Sequence, residues 1–355
     1  MLSVGLFVAG GTLGLAYYLS LSHQLTAAPP ENIIVVSKGA ASEAESKLKL
    51  DNARKLFVLE GIAQDGGQPL AVRELVSRVF VQSSASGYED PSTIRGIDEK
   101  SLAVHHIQLT SGVPPKTGTL EVMVGKRLAE RYPHMKVGYE MSLPGGPGRV
   151  TGVFSAGGAP FEDEVWTPRA ALELHVNAKV SSAVTLVAID TSRVPGIIAT
   201  INNSKDIDLQ ASTVAQFRSD RAGLATIART VFILLLLLSV VATFAIATTL
   251  NAAVLMRMPE LAALAAIGVR KSLLGRMILV ESALLSGVGA LLGVLVAALI
   301  AHLIGRMPIG ANPVNISLSL TSFVVAIGLG LVVGLLGGVL PSLQVRRLDI
   351  LKALR

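Results

Sequence analysis

Residues 230–255, TVFILLLLLSVVATFAIATTLNAAVL, carry no charge and lie between Arg229 and Arg257. A helix needs about 20 mostly apolar residues to cross the hydrocarbon core of a bilayer. Soluble core helices are seldom so long and so free of charge, so this run predicts a membrane span. Three further runs qualify: Met277 to Ile304 and Leu318 to Leu340 downstream, and Leu2 to Leu21 at the start. Between the first two spans, residues 31–221 read like an ordinary soluble domain. The order along the chain is membrane, water, membrane.

Composition agrees. Apolar residues make up 51% of the 355 and charged residues 16%, and the mean hydropathy is +0.58, values that a wholly water-exposed surface does not tolerate. Cysteine is absent, which removes disulfides, thiolate metal sites and cysteine nucleophiles together.

The net charge of +6 is concentrated in two places. Arg257, Arg270, Lys271 and Arg276 stand against Glu260 between the second and third spans. Arg346, Arg347, Lys352 and Arg355 stand against Asp349 after the last. Each piece carries +3, so together they account for the whole excess. The remainder is balanced, 23 basic against 23 acidic residues with no basic stripe, and no nucleic-acid partner is expected. Lysine and arginine near span ends collect on the cytosolic side. The second loop and both termini are therefore placed in the cytosol, with the domain of 23–210 and the loop Gly305–Ser317 outside. A cleaved signal peptide is the rival reading of the first span, but it needs a basic leading segment and no Lys or Arg precedes Lys38. Gly5, Gly10, Gly11 and Gly14 suit close helix packing in lipid.

In the outer domain, Ile33–Val36 and Val76–Gln82 predict strands, and Glu43–Leu59 a surface helix. Val122–Gly125 predicts a strand breaking into a helix over 126–131, and Met141–Leu143 with Arg149–Phe154 predicts a hairpin around Pro144–Gly148. The simplest class is α+β. His105 and His106, read on a strand, face opposite sides and lack partners at metal-ligand spacing. Glu162, Asp163 and Glu164 read as a solvated acidic loop. From Ser212 to Thr230, Val214, Phe217, Leu224 and Ile227 recur at helical spacing. This predicts a stalk helix over 211–229, either running straight into the second span as a rigid rod or bending near Gly223.

No G-x-x-x-x-G-K-[ST] occurs; Gly125-Lys126 lacks the upstream glycine and the following Ser or Thr. The chain is not expected to be an enzyme or to hydrolyse ATP alone. The cytosolic loop, 257–271, reads RMPELAALAAIGVRK. Pro259 and Glu260 suit a first helical turn, Leu261, Leu264 and Ala265 share a face, and Gly268 followed by Arg270 and Lys271 suits an end. The apolar face needs a partner, either lipid headgroups or a groove in another protein.

This loop resembles that of the FtsX-like permease family, which includes MacB and the lipoprotein-releasing LolC and LolE proteins. The family pattern Arg-x-x-Glu-hydrophobic-small-x-x-Arg-Ala-hydrophobic-Gly is matched by Arg257, Glu260, Leu261, Ala262, Ala266, Ile267 and Gly268, with Ala265 in place of the second arginine. Glu281, the series Gly287, Gly289 and Gly293, and Pro341, Arg346, Arg347, Leu348, Asp349, Ala353, Leu354 and Arg355 also fit, though Ile350 replaces the usual proline. Weaker matches in the outer domain include Arg95-Gly96-Ile97-Asp98, Gly112, Val122–Ala129 and Val165–Pro168. Family members usually begin with a basic cytosolic segment, whereas almost nothing precedes Ser3 here.

The resemblance implies a polytopic α-helical membrane protein with four transmembrane helices and an α+β extracytoplasmic domain between the first two. It implies the permease subunit of an ABC transporter in a bacterial inner membrane. A separate ATPase would hold ATP and Mg, and this chain no cofactor. A second copy or a paralogous permease, and a periplasmic adaptor or lipoprotein, are the further partners implied. A non-transporting regulator of cell-wall hydrolases is the alternative. The ATPase-coupling residues would be Arg257, Glu260, Leu261, Leu264, Ile267, Gly268, Arg270 and Lys271, with Arg346, Arg347 and Asp349 beside them. Glu281 is the one acid inside the spans, where such groups mark ion paths; pairing with Arg276 is the preferred reading, and a proton-coupled transporter the weaker rival.

Overall fold

The computed structural model describes residues 2–82, 89–143, 146–176, 180–204, 208–304 and 318–347. The expected loop 305–317, the hairpin tip at Pro144 and Gly145, and the tail from Leu348 with Asp349 lie outside the described residues. The chain divides into two units, one of Leu21–Leu224 and one built from the residues before and after it.

Hydrocarbon offers backbone groups no partner, so apolar runs in lipid must close their own hydrogen bonds as helices. Among the described residues four helices are long and apolar enough to span a membrane: Leu2–Thr26, Leu224–Met256, Lys271–Ile304 and Leu320–Arg346. The fourth is central. Its Ser322, Ala326, Gly330, Gly334, Gly338 and Ser342 are all buried at a spacing of four, which puts them on one face. A Cβ on Gly330 would come within 2.7 Å of Val8 in the first span, one on Gly337 within 2.7 Å of Ile246 in the second, and one on Gly338 within 2.8 Å of Ser282 in the third. Ser282 Oγ donates to the Gly334 carbonyl at 2.6 Å. Small residues let backbones approach where apolar burial alone gives helices no reason to associate. The first-span glycines divide their work: Gly5 packs on Gly289 and Gly293 of the third span, and Gly11 and Gly14 receive Leu235 and Val231 of the second.

The α+β unit is built on a ten-stranded mixed sheet. Its strands are β1 (Asn32–Ser37), β2 (Ala71–Gln82), β3 (Glu89–Ile97), β4 (Gln108–Gly112), β5 (Glu121–Gly125), β6 (Glu140–Leu143), β7 (Gly146–Ser155), β8 (Glu164–Pro168), β9 (Ala183–Val187) and β10 (Leu209–Thr213). They run in the order β10-β1-β9-β2-β3-β8-β5-β7-β4, with β6 pairing β7. The long strand β2 joins two halves, because residues 71–74 pair with β9 and residues 75–82 with β3. Each half has its own core. Ile33, Val35, Leu186, Leu56 and Ile197 fill one, under the helices Leu50–Leu56 and Val194–Asn202. Ile94, Val122, Val124, Leu128, Val150 and Val165 fill the other.

Two expected helices are shorter than read. That expected over Glu43–Leu59 is confined to Leu50–Leu56, because Leu48–Lys49 pairs as a short strand with Val180–Ser181. The stalk is not an unbroken rod over 211–229. Residues to Thr213 finish β10, a helix occupies Val214–Arg221, and Gly223 at φ +64° interrupts the chain before Leu224. That left-handed conformation is open to glycine at little cost and ends helices readily.

Gly334→Val is expected to force the third and fourth spans apart, since a Cβ there overlaps Ser286 Oγ, whereas Gly328 has nothing within 4 Å of its own. Overpacking of this kind costs about 1–3 kcal/mol. The detergent-solubilised Gly334→Val protein should therefore melt several degrees lower and Gly328→Ala at the wild-type temperature; equal melting of both contradicts the packing.

Candidate functional site

The chain leaves the second span at Met256 and turns at Arg257 into a helix over Met258–Ala266. Pro259 lies in its first turn, where a missing N–H costs nothing, and Glu260 faces the positive end of the helix dipole. The far end is closed by paired bonds: Gly268 N–H donates to Ala265 O at 3.2 Å and Val269 N–H to Leu264 O at 3.1 Å. This Schellman arrangement requires a left-handed residue, and Gly268 has φ +101°. The helix expected over 257–271 accordingly stops short, and the third span begins at Lys271.

One face of this short helix is anchored. Leu261 and Ala262 are buried with Val254, Leu274, Ile278 and Val345, so the ends of the second, third and fourth spans all meet it. The other face is open: Glu260, Leu264 and Ala266 are exposed, as are Arg270 and Ile267, the last at 78%. Arg257, Glu260, Leu261, Leu264 and Glu281 come together around a cleft of about 90 Å³. Ile267, Gly268, Arg270 and Lys271 do not line it. Arg346 lies over Gly275 in the first turns of the third span, where a Cβ would come within 2.9 Å of its Nε, and Arg347 is exposed at the end of the fourth.

Glu281 does not pair with Arg276. Its Oε1 lies 3.6 Å from Arg257 Nη1. Five residues along a helix is a turn and a half, which turns Arg276 toward another side, while Arg257 reaches Glu281 from the neighbouring span. Both side chains are partly exposed, so the pair contributes little to stability.

A second polar site, in the α+β unit, was not legible in the sequence. Arg95, 3% exposed, sits at its centre. Its Nε and Nη2 donate to the two oxygens of Glu164 at 2.7 and 2.9 Å, and Nη1 donates to Glu43 at 2.6 Å and Glu74 at 3.0 Å. His105 Nε2 is 2.6 Å from Glu74, and Trp166 Nε1 donates to Glu164 at 2.8 Å. His105 follows a short helix instead of lying on a strand, and its ring stacks edge-on against Phe161 and Trp166. The acidic run 162–164 is not a solvated loop either. Glu162 accepts from Ser155 Oγ and two backbone amides, Asp163 binds Arg127 and Arg131, and Glu164 binds Arg95. Arg95, His105 and Glu164 were each noticed in the sequence, but separately and with no link between them. The partners of Arg95 lie 21 to 69 residues away in sequence, so no local spacing could reveal them.

Burial alone would raise the Glu74 carboxyl, but His105 and Arg95 outweigh it and hold the group at about 2, against 4.5 ordinarily. A folded value below the unfolded one stabilises the fold above pH 4.5 and is lost as the pH falls toward 2. The shift corresponds to about 3 kcal/mol. Trp166 is the sole tryptophan and touches this network. Its emission from the solubilised chain should hold steady from neutrality to about pH 5 and move to the red below that. With Glu74→Gln the red shift should appear already near neutrality or at a lower denaturant concentration. Emission unchanged down to pH 2 contradicts the assignment.

Two family models match the chain. The model of the MacB-like periplasmic core domain matches residues 1–209, and that of the FtsX-like permease C-terminal region matches 232–350. Among solved structures, the periplasmic region of MacB from Actinobacillus actinomycetemcomitans is similar at 13% identity and a TM-score of 0.41, covering 55% of this chain and 94% of that one. The extracellular domain of the noncanonic ABC-type transporter YknZ from Gram-positive bacteria is similar at 16% identity and a TM-score of 0.39, covering 51% and 100%. No curated protein matches the chain.

Proposed function

Since the chain belongs to the MacB/FtsX-like permease family of ABC transporters, we propose that it couples a separate ATPase, docked on the Met258–Ala266 helix, to movement of its α+β domain. In this reading the loop of 257–271 and both termini are cytosolic, the α+β domain lies outside a bacterial inner membrane, and the permease works as a dimer with a second copy or a paralogue. ATP and Mg²⁺ bind the ATPase. Closure of the ATPases displaces the docked helix, which the Leu261 and Ala262 contacts and the Arg257–Glu281 pair connect to the spans. Work is done on a substrate outside the membrane, by export or by extraction.

The observation that carries this reading is the open face of the short helix. Ile267 is 78% exposed and Leu264 38%, at the end of a helix whose opposite face is held by three spans. An apolar strip rimmed by Arg257, Glu260 and Arg270 suits a groove on a soluble partner, where a few buried side chains dominate affinity.

Ile267→Asp and Glu260→Arg alter exposed positions and should leave the chain folded. Each is expected to weaken co-purification of an ABC ATPase from the native host by about tenfold or more. Wild-type recovery of the ATPase with both variants rejects the docking site, and its absence from the wild-type preparation rejects the permease reading.

A further inference from the structure

The helix Val214–Arg221 is joined to the second span by Ala222 and Gly223 alone. Thr213 caps its start, accepting from Gln216 N–H at 3.1 Å, and Val214 and Phe217 are buried with Ile34, Val36 and Ala183 on the sheet. Those contacts already anchor the helix. Arg218 does something they do not need.

Its guanidinium is carried into the interior: Arg218 is 9% exposed, its Cζ stands 4.3 Å from the centre of the Phe161 ring, and its Nη1 has no hydrogen-bond partner among the described residues. Phe161 also carries Arg95, whose Cζ is 4.9 Å from the same ring. Burial depresses the Arg218 pKa below its ordinary value, and Glu43 is the main group opposing that. The network around Arg95 contains three carboxylates, those of Glu43, Glu74 and Glu164. Against them stands Arg95, with His105 bonded to Glu74, and Arg218 adds a further cation from the helix that leads into the second span. A cavity of about 290 Å³ lined by Glu43, Phe161, Glu164 and Arg218 leaves that side chain room to change partners. An incompletely paired buried guanidinium is costly, and the carboxylates beside this one are what offset that cost.

We propose that Arg218 is the positioning residue that latches the segment entering the second span to the buried charge network of the α+β domain, with Glu43 as the carboxylate it exchanges with Arg95. Displacement of the second span then passes through Ala222–Gly223 to Arg218, and from Arg218 through Glu43 and Arg95 to β3 and β8. The transmission step rests on the permease reading; the latch itself does not.

Two measurements on the full chain in nanodiscs separate these. Without nucleotide or ATPase, amide exchange of residues 214–221 should quicken about tenfold in Arg218→Gln. Arg218→Lys, which keeps the charge over Phe161 but loses the planar fork, should fall between Arg218→Gln and wild type. Exchange at the wild-type rate in both variants overturns the latch, whatever the protein does with ATP. With the ATPase bound, trapping with ATP and vanadate should alter exchange in residues 89–97 of the wild type. Arg218→Gln should abolish that change while ATP turnover stays within about twofold of wild type. A full response at 89–97 in Arg218→Gln overturns transmission through Arg218. Should Arg218→Gln unfold, as a red-shifted Trp166 emission would reveal, Arg218→Lys decides: a reduced response supports the proposal and a full one overturns it. A wild type that binds no ATPase defeats the permease reading and leaves the exchange result at 214–221 standing.

Discussion

Inside hydrocarbon a backbone amide has no water to bond, and the organisation of this chain follows from that constraint. The apolar runs must be helices, and helices with uniformly apolar surfaces gain nothing by packing on one another through the hydrophobic effect. They meet through small residues instead. The stripe of Ser322, Ala326, Gly330, Gly334, Gly338 and Ser342 brings the fourth span against the first and third, and Gly337 beside it against the second. The backbone can turn only where it leaves the apolar runs, and there the chain spends its helix-ending residues: Pro259 and Gly268 around the short helix, and Gly223 before the second span. The places where motion can enter or leave the bundle are thus set by where helices are allowed to stop.

The α+β domain solves a different problem. Its two cores lie on one sheet, and β2 belongs to both by changing partner at Glu74–Leu75. At that junction sits the Arg95 network, with Glu74 at its rim and Glu164 on β8 behind it. Buried ions of this kind are weak sources of stability because each must be stripped of water. Their effect is directional: an arginine that donates to three carboxylates fixes the geometry of the strands and turns that carry them.

How much of this could be read beforehand depended on range in sequence. The spans were legible because the absence of charge over more than twenty residues has a single physical meaning, and the helix Met258–Ala266 because Pro259 and Gly268 punctuate it. Strand Glu121–Gly125 breaking into the helix Lys126–Arg131 and the Glu140–Ser155 hairpin were legible from local pattern too. What failed was everything decided by a distant partner. Leu48 sits in a helical pattern but pairs with Ser181. Glu281 looked to Arg276 on its own helix and found Arg257 on another. The run of Glu162, Asp163 and Glu164 looks like a solvated loop until Arg127, Arg131 and Arg95 arrive from elsewhere in the chain. Gly223 was noticed, but spacing alone does not tell whether a glycine sits in a right-handed helix or ends one.

The central claim is that ATP hydrolysed on one side of the bundle moves the domain on the other. The chain has no native cysteine, so Ala266→Cys on the short helix and Lys116→Cys on the α+β domain can be spin-labelled without background, both positions being exposed. Distances between the labels, measured with the ATPase bound, should form one distribution without nucleotide and a displaced one after trapping with ATP and vanadate. Superimposable distributions in a complex that is turning over ATP would contradict the account.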